Sequence, residues 1–273
     1  DILQESNRDF SHRLSKNFVT PAMRNHYRIK FFCRSFDLRL YRLSKGLYES
    51  LGYPCIRLTD QTADGYFHTM LQDTECDIAI NVDEDCFLTN TDAVFELVDY
   101  AVENNIANIG CPDGGGWVPR GGNPLVTNPF FNILNLNLLR EQYSKQAVQS
   151  FDYKAHQQQM EADYPKQMLY EGRSYNFENT DYEPYYPFFL WQAFHTRTIY
   201  LPSKQHADGW TTILYTPQGK EICRHTWLAR FYSVPSFIVK HWQPNTGKQN
   251  ARIDSLIDES YALAHKPRPV FTT

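Results

Sequence analysis

The sequence has no stretch close to the roughly 20 consecutive apolar residues that cross a bilayer, so no membrane span is expected. It also lacks an excess of positive charge, with 27 Lys and Arg against 31 Asp and Glu and a formal net charge of −4. That balance argues against a nucleic-acid partner gripped through its backbone. No two of the six cysteines (Cys33, Cys55, Cys76, Cys86, Cys111 and Cys223) have CxxC spacing, and six is few for a disulfide scaffold. Cys33 and Cys223 lie in apolar runs, where a cysteine serves as a small buried hydrophobe. There is no Asn-x-Ser/Thr sequon, no secretory signal and no internal repeat. A cytoplasmic enzyme with reduced thiols is therefore expected. The chain starts at Asp1 rather than Met, so a processed or trimmed piece is expected, with a tether or further domain removed.

What is present is a 273-residue chain, 42% hydrophobic and 15% aromatic, enough for one substantial core. Residues 1–25 read as a polar arm. Strands are predicted over Tyr27–Cys33, Pro54–Leu58, Cys76–Val82 and Ile106–Gly110. Between them, helical spacing runs over Leu38–Leu51, Asp64–Gln72 and Thr91–Asn104, with Gly52 as a stop and Asn90, Thr91 or Asp92 as a cap. Such alternation predicts an α/β fold with a mostly parallel sheet flanked by helices. Ligands of these sheets lie beyond the carboxyl ends of the strands. Attention therefore falls on Arg34–Asp37, Thr59-Asp60, Asp83–Asp85 and Cys111–Asp113. The second half is less regular until a closing helix over Ile253–His265, and a single domain is expected throughout 1–273.

The sharpest chemical signal is Asp83-Glu84-Asp85, directly after the most apolar strand. Two carboxylates one residue apart on a chain leaving a strand reach one hard divalent cation, Mg²⁺ or Mn²⁺, which also bridges diphosphate oxygens. A solvated acidic strand end is the plain alternative, and placement after the buried strand weighs against it.

Strand–Asp-x-Asp–helix, in AINVDEDCFLTNTDAVFEL, resembles the metal-binding signature of GT-A-fold glycosyltransferases, which use nucleotide-sugar donors. Asn128–Leu139 (NPFFNILNLNLL) resembles the Phe-Asn-x-Gly strand of glycogenin-like members, with Ile133 and Leu134 where those have a small residue and glycine. His225, in CRHTWLAR, resembles their late histidine that completes the metal site. His206 competes for that place, and His195 and His241 are weaker. Arg224 and Arg230, near His225, are candidates to face phosphates.

The resemblance covers residues 27–232. It implies a GT-A (Rossmann-like) fold with a nucleotide-binding half over 27–113, an acceptor and metal-completing half over 114–240, and a C-terminal extension over 241–273. It further implies Mn²⁺ or Mg²⁺ on Asp83, Asp85 and His225, and a nucleotide-sugar donor, with UDP favoured and GDP open. The acceptor would be a hydroxyl of a glycan or glycoconjugate. Arg34, Ser35 and Asp60 take the nucleobase and ribose positions. Gly114–Gly122 lacks Gly-Lys-Ser/Thr and is no Walker loop; it reads as a lid or an ordinary surface loop, with Trp117 and Arg120 as its contacts. An inverting transferase needs a carboxylate base, for which Asp181, Glu183 and Asp208 are the candidates.

Two other readings are open. A sugar-phosphate nucleotidyltransferase would carry a glycine-rich loop after the first strand, where this chain has RSFDLR. A non-catalytic carbohydrate-binding protein would use the aromatic faces alone, and such modules are mostly β-sandwiches.

Overall fold

The computed structural model describes residues 26–113, 120–168, 175–227, 229, 232 and 246–271. The arm at 1–25 and Trp117, Arg230 and His241 lie outside them. The main sheet has the order β2 (Cys55–Leu58), β1 (Ile29–Arg34), β3 (Ile78–Val82), β6 (Thr127–Asn135), β5 (Asn108–Pro112), β7 (Thr198–Tyr200). β1 pairs in parallel with β2 and β3, and β5 with β7, while β6 is antiparallel to both neighbours. A second sheet runs β4 (Cys86–Leu88), β10 (Glu221–His225), β9 (Thr212–Tyr215), β8 (Ser203–Gln205).

Helices α1 (Leu38–Lys45), α2 (Gly65–Gln72) and α3 (Thr91–Glu103) connect the early strands. Asn90 caps α3 by accepting from the Ala93 amide at 3.0 Å. Asp37 caps α1 through the amides of Arg39 and Leu40. After β6 come the short α4 (Leu136–Arg140) and α5 (Lys145–Gln149), then α6 (Tyr153–Asp163), α7 (Tyr186–His195) and α8 (Thr246–Leu263). No helix among the described residues is long and apolar enough to cross a membrane.

β3 is buried along its whole length because it feeds both faces of the sheet. Ile78, Ile80 and Val82 join a core with α1, α3, α8 and the second sheet, whereas Ala79 faces the core built on α2 and α7.

Between the third and fourth of the expected strands, β3 and β5, the sheet holds β6, which runs antiparallel to both. β5 ends at the carboxyl edge, and Pro112 pairs with Thr127, so the chain re-enters the sheet from the edge it has just left. A strand that returns from the edge just left runs antiparallel to its neighbour. Its nine residues are all buried, which an interior position satisfies. One expectation is corrected here: Asp83–Asp85 does not lead straight into a helix. The three-residue β4 intervenes and carries the chain into the second sheet.

Candidate functional site

β1, β2, β3, β5 and β7 point the same way, so their carboxyl ends and the start of β6 share one edge. There the Asp83 amide donates to Phe130 O at 2.9 Å and the Cys86 amide to Asp83 O at 3.0 Å, forming a tight turn over the three acidic residues. β10 pairs with β4 so that His225 lies opposite Cys86. This register brings His225 Nε2 to 3.1 Å from Asp85 Oδ1, and the Thr226 amide donates to Asp85 O at 3.0 Å. The imidazole is 4% exposed, lying flat on Phe130 and edge-on to Trp227. Its Nδ1 is buried without a hydrogen-bond partner.

Burial, and next the charge of Asp85, push the Asp83 carboxyl up to about 6 against the opposing pull of Arg34 and His225. For Asp85, burial again disfavours the charge, but His225, a backbone hydrogen bond and Arg34 together hold the carboxyl below its ordinary value. Burial and the Asp83 charge raise Glu84 to about 7. Three carboxylates thus crowd a half-buried turn, with the Arg34 guanidinium as the facing cation. Arg34 is flanked by the rings of Phe36 and Tyr66, each 5.5 Å from Cζ, and its Nε is buried and unpartnered.

Among the described residues, no three His, Cys, Asp or Glu side chains are already gathered as a ligand set. Asp85 and His225 instead satisfy one another. The chemistry of the donors still fits a divalent cation. Two hard carboxylates and an imidazole suit Mn²⁺ or Mg²⁺, and a cation would relieve the repulsion that raises Asp83.

A second cluster stands at the end of β5. Asp113 is fully buried and accepts hydrogen bonds from Asn128, Tyr185, Tyr186 and Arg120 Nε, the last at 3.2 Å. Arg120 Nη2 reaches Glu183 at 3.0 Å and Tyr185 at 2.6 Å. Burial opposes its charge, yet Asp113, Tyr185 and Glu183 raise its pKa above the ordinary arginine value. The guanidinium sits 5.0 Å from the Tyr182 ring and 5.3 Å from the Trp227 ring. Gly122 makes room for this cluster, since a Cβ there would lie 2.5 Å from Asp113 Oδ2. Trp227, which touches both Arg120 and His225, links the two clusters.

The other candidates separate from it. Ser35 is buried, its hydroxyl donating to Asp37 O and accepting from Arg57, so it builds the loop rather than facing a ligand. Asp60 is exposed beyond β2, at φ 56°. Asp181 is exposed, and Glu183 is half-buried in the Arg120 cluster. Asp208 is spoken for: it accepts from the amides of Trp210 and Thr211, the Thr211 hydroxyl and Arg252. Burial works against ionisation there, but these bonds win and hold it down at about 2. His206 lies 3.4 Å from both Asp208 and Glu259 rather than beside the acidic turn. Arg224 is paired with Glu221 and Glu259, which leaves it no phosphate to face. The partners of Glu84 and the joint hold of Tyr185 and Tyr186 on Asp113 were not legible in the sequence. Only the position of Asp113 after a strand pointed that way.

No family model matches the chain, and no curated protein matches it. Among solved structures, A197 from STIV aligns over 71% of this chain and 93% of its own at 14% identity, with a TM-score of 0.38. At that TM-score the likeness fixes neither fold family nor function.

Proposed function

We propose that this protein is a metal-dependent glycosyltransferase of GT-A architecture, moving a sugar from a nucleotide-sugar, with UDP as carrier, to an acceptor hydroxyl of a glycan. The observation that carries the reading is the pairing of Asp85 with His225 at 3.1 Å, beside Asp83, at the carboxyl edge of the sheet. Asp83, Asp85 and His225 are the residues that would hold Mn²⁺ or Mg²⁺, which when bound neutralises the leaving diphosphate. Arg34 faces the same charge from β1 and is stationed to contact a phosphate, and exposed Asp60 borders the nucleoside side.

Glu183 is the preferred base among the three carboxylates. Arg120 fixes it beside the Tyr182 ring, an aromatic face on which a sugar stacks. Asp208, held ionised near 2, is a poor proton acceptor. In a single displacement the acceptor oxygen bonds to the sugar C1, the C1–O bond to the diphosphate breaks with its electron pair leaving on that oxygen, and the hydroxyl proton passes to Glu183.

The test is a screen of UDP- and GDP-sugars for Mn²⁺-dependent nucleotide release in the presence of glycan acceptors. Turnover in the wild type that falls about 100-fold or more in Glu183→Gln supports the reading. Absence of turnover across the panel, or full activity in Glu183→Gln, contradicts the transfer or the base respectively.

A further inference from the structure

The tight turn closed by the Cys86 amide on Asp83 O separates the three acidic side chains, and Glu84 reaches away from Asp85. Here it lands on another part of the site. Glu84 is 7% exposed, and its Oε2 accepts from the amides of Phe36 at 3.0 Å and Asp37 at 2.7 Å. Those amides belong to the loop leaving β1, which carries Arg34 and opens α1. Asp37 caps that helix through Arg39 and Leu40, so Glu84 holds the backbone of the capping residue. At its other end, the Glu84 amide donates to Asp83 Oδ1 at 3.2 Å. A short chain of hydrogen bonds therefore runs from the Asp83 carboxylate through Glu84 to the loop beneath Arg34.

We infer that Glu84 is a positioning residue that couples cation binding at Asp83 and Asp85 to the conformation of the 34–37 loop. The inference rests on the transferase reading of this site. A cation held by the Asp83 carboxylate would draw on the same group that accepts from the Glu84 amide. The resulting adjustment is delivered to Phe36 and Asp37 because Glu84 holds both.

Hydrogen exchange of the Phe36 and Asp37 amides, read by mass spectrometry with and without Mn²⁺, tests this in the wild type, Glu84→Gln and Glu84→Ala. Mn²⁺ occupancy is followed separately by electron paramagnetic resonance. In the wild type, Mn²⁺ is expected to change exchange at these two amides by about 5-fold or more. Gln keeps a neutral acceptor and retains part of the response; Ala binds Mn²⁺ and loses it. A metal response in Glu84→Ala equal to the wild type overturns the coupling, as does a wild type that binds Mn²⁺ with no change at Phe36 and Asp37. If Glu84→Ala does not fold, the wild type and Glu84→Gln decide. Failure of the wild type to bind Mn²⁺ at all is a different result, which removes the transferase reading and the coupling together.

Discussion

The imidazole of His225 lies flat on the ring of Phe130, with 4.5 Å between centroids and 10° between planes. The contact fixes the ring orientation that presents Nε2 to Asp85. Residues that orient a metal-ligating histidine contribute about 10- to 100-fold to metal affinity. Phe130→Ala is therefore expected to weaken Mn²⁺ binding by about 10-fold or more, while Phe130→Tyr, which keeps the ring, retains most of it. Titration of Mn²⁺ followed by electron paramagnetic resonance checks both.

Asp113 is the buried anchor of the Arg120 cluster, and removing its cation leaves a carboxylate with three neutral donors. Truncating one member of a buried ion pair typically costs about 3–5 kcal/mol. Arg120→Met is expected to lie toward the lower end, because those donors remain. Urea unfolding measures the cost. A loss below about 0.5 kcal/mol would mean that the pair behaves like an exposed one.

The acidic turn makes stability fall with rising pH when no cation is present. Asp83 has a folded-state pKa near 6, above the ordinary carboxylate value, so the folded protein binds the extra proton between about pH 4 and 6. Below that window the group contributes nothing to the difference; above it, ionisation costs the native state on the order of a few kcal/mol. Asp83→Asn is expected to raise the melting temperature at pH 7.5 and leave it unchanged near pH 4. Mn²⁺ is expected to raise it for the wild type alone.

Asp208 has the opposite sign. Its depressed pKa contributes stability that is complete above the ordinary carboxylate value and is lost as pH falls toward 2. Asp208→Asn is expected to destabilise the fold by about 1–2 kcal/mol at pH 7 and to flatten the acid limb between about pH 4 and 2. Nucleotide affinity, measured by calorimetry on the same variant, stays at the wild-type value.

Much of the first half was legible in the sequence because its signals are local. The apolar run Ile78–Val82, the Asn90 cap and the helical spacing of α3 each depend on a few adjacent residues. The direction of β6 was not legible, since it follows from which sheet edge the preceding loop leaves. β4, at three residues, is too short to show a period, yet its pairing with β10 is what carries His225 to Asp85. His225 ends β10 and stands beside Asp85, whereas His206 lies with Asp208 and Glu259. The turn around Asp208 was open to a closer reading, because an aspartate before Gly-Trp-Thr accepts bonds from its own loop. Glu84 stood inside the acidic signal, but its hold on the loop after β1 was not legible, because its partners lie 47 and 48 residues away.

The central claim is a metal-dependent nucleotide site at Asp83, Asp85 and His225. Calorimetric titration with UDP and GDP, with and without Mn²⁺, on the wild type and Asp85→Ala tests it most directly. The account expects UDP to bind the wild type with Mn²⁺, and its affinity to fall about 10-fold or more when the metal is withheld or Asp85 is replaced. Absence of nucleotide binding under every metal condition, or Mn²⁺-dependent binding undiminished in Asp85→Ala, would contradict it.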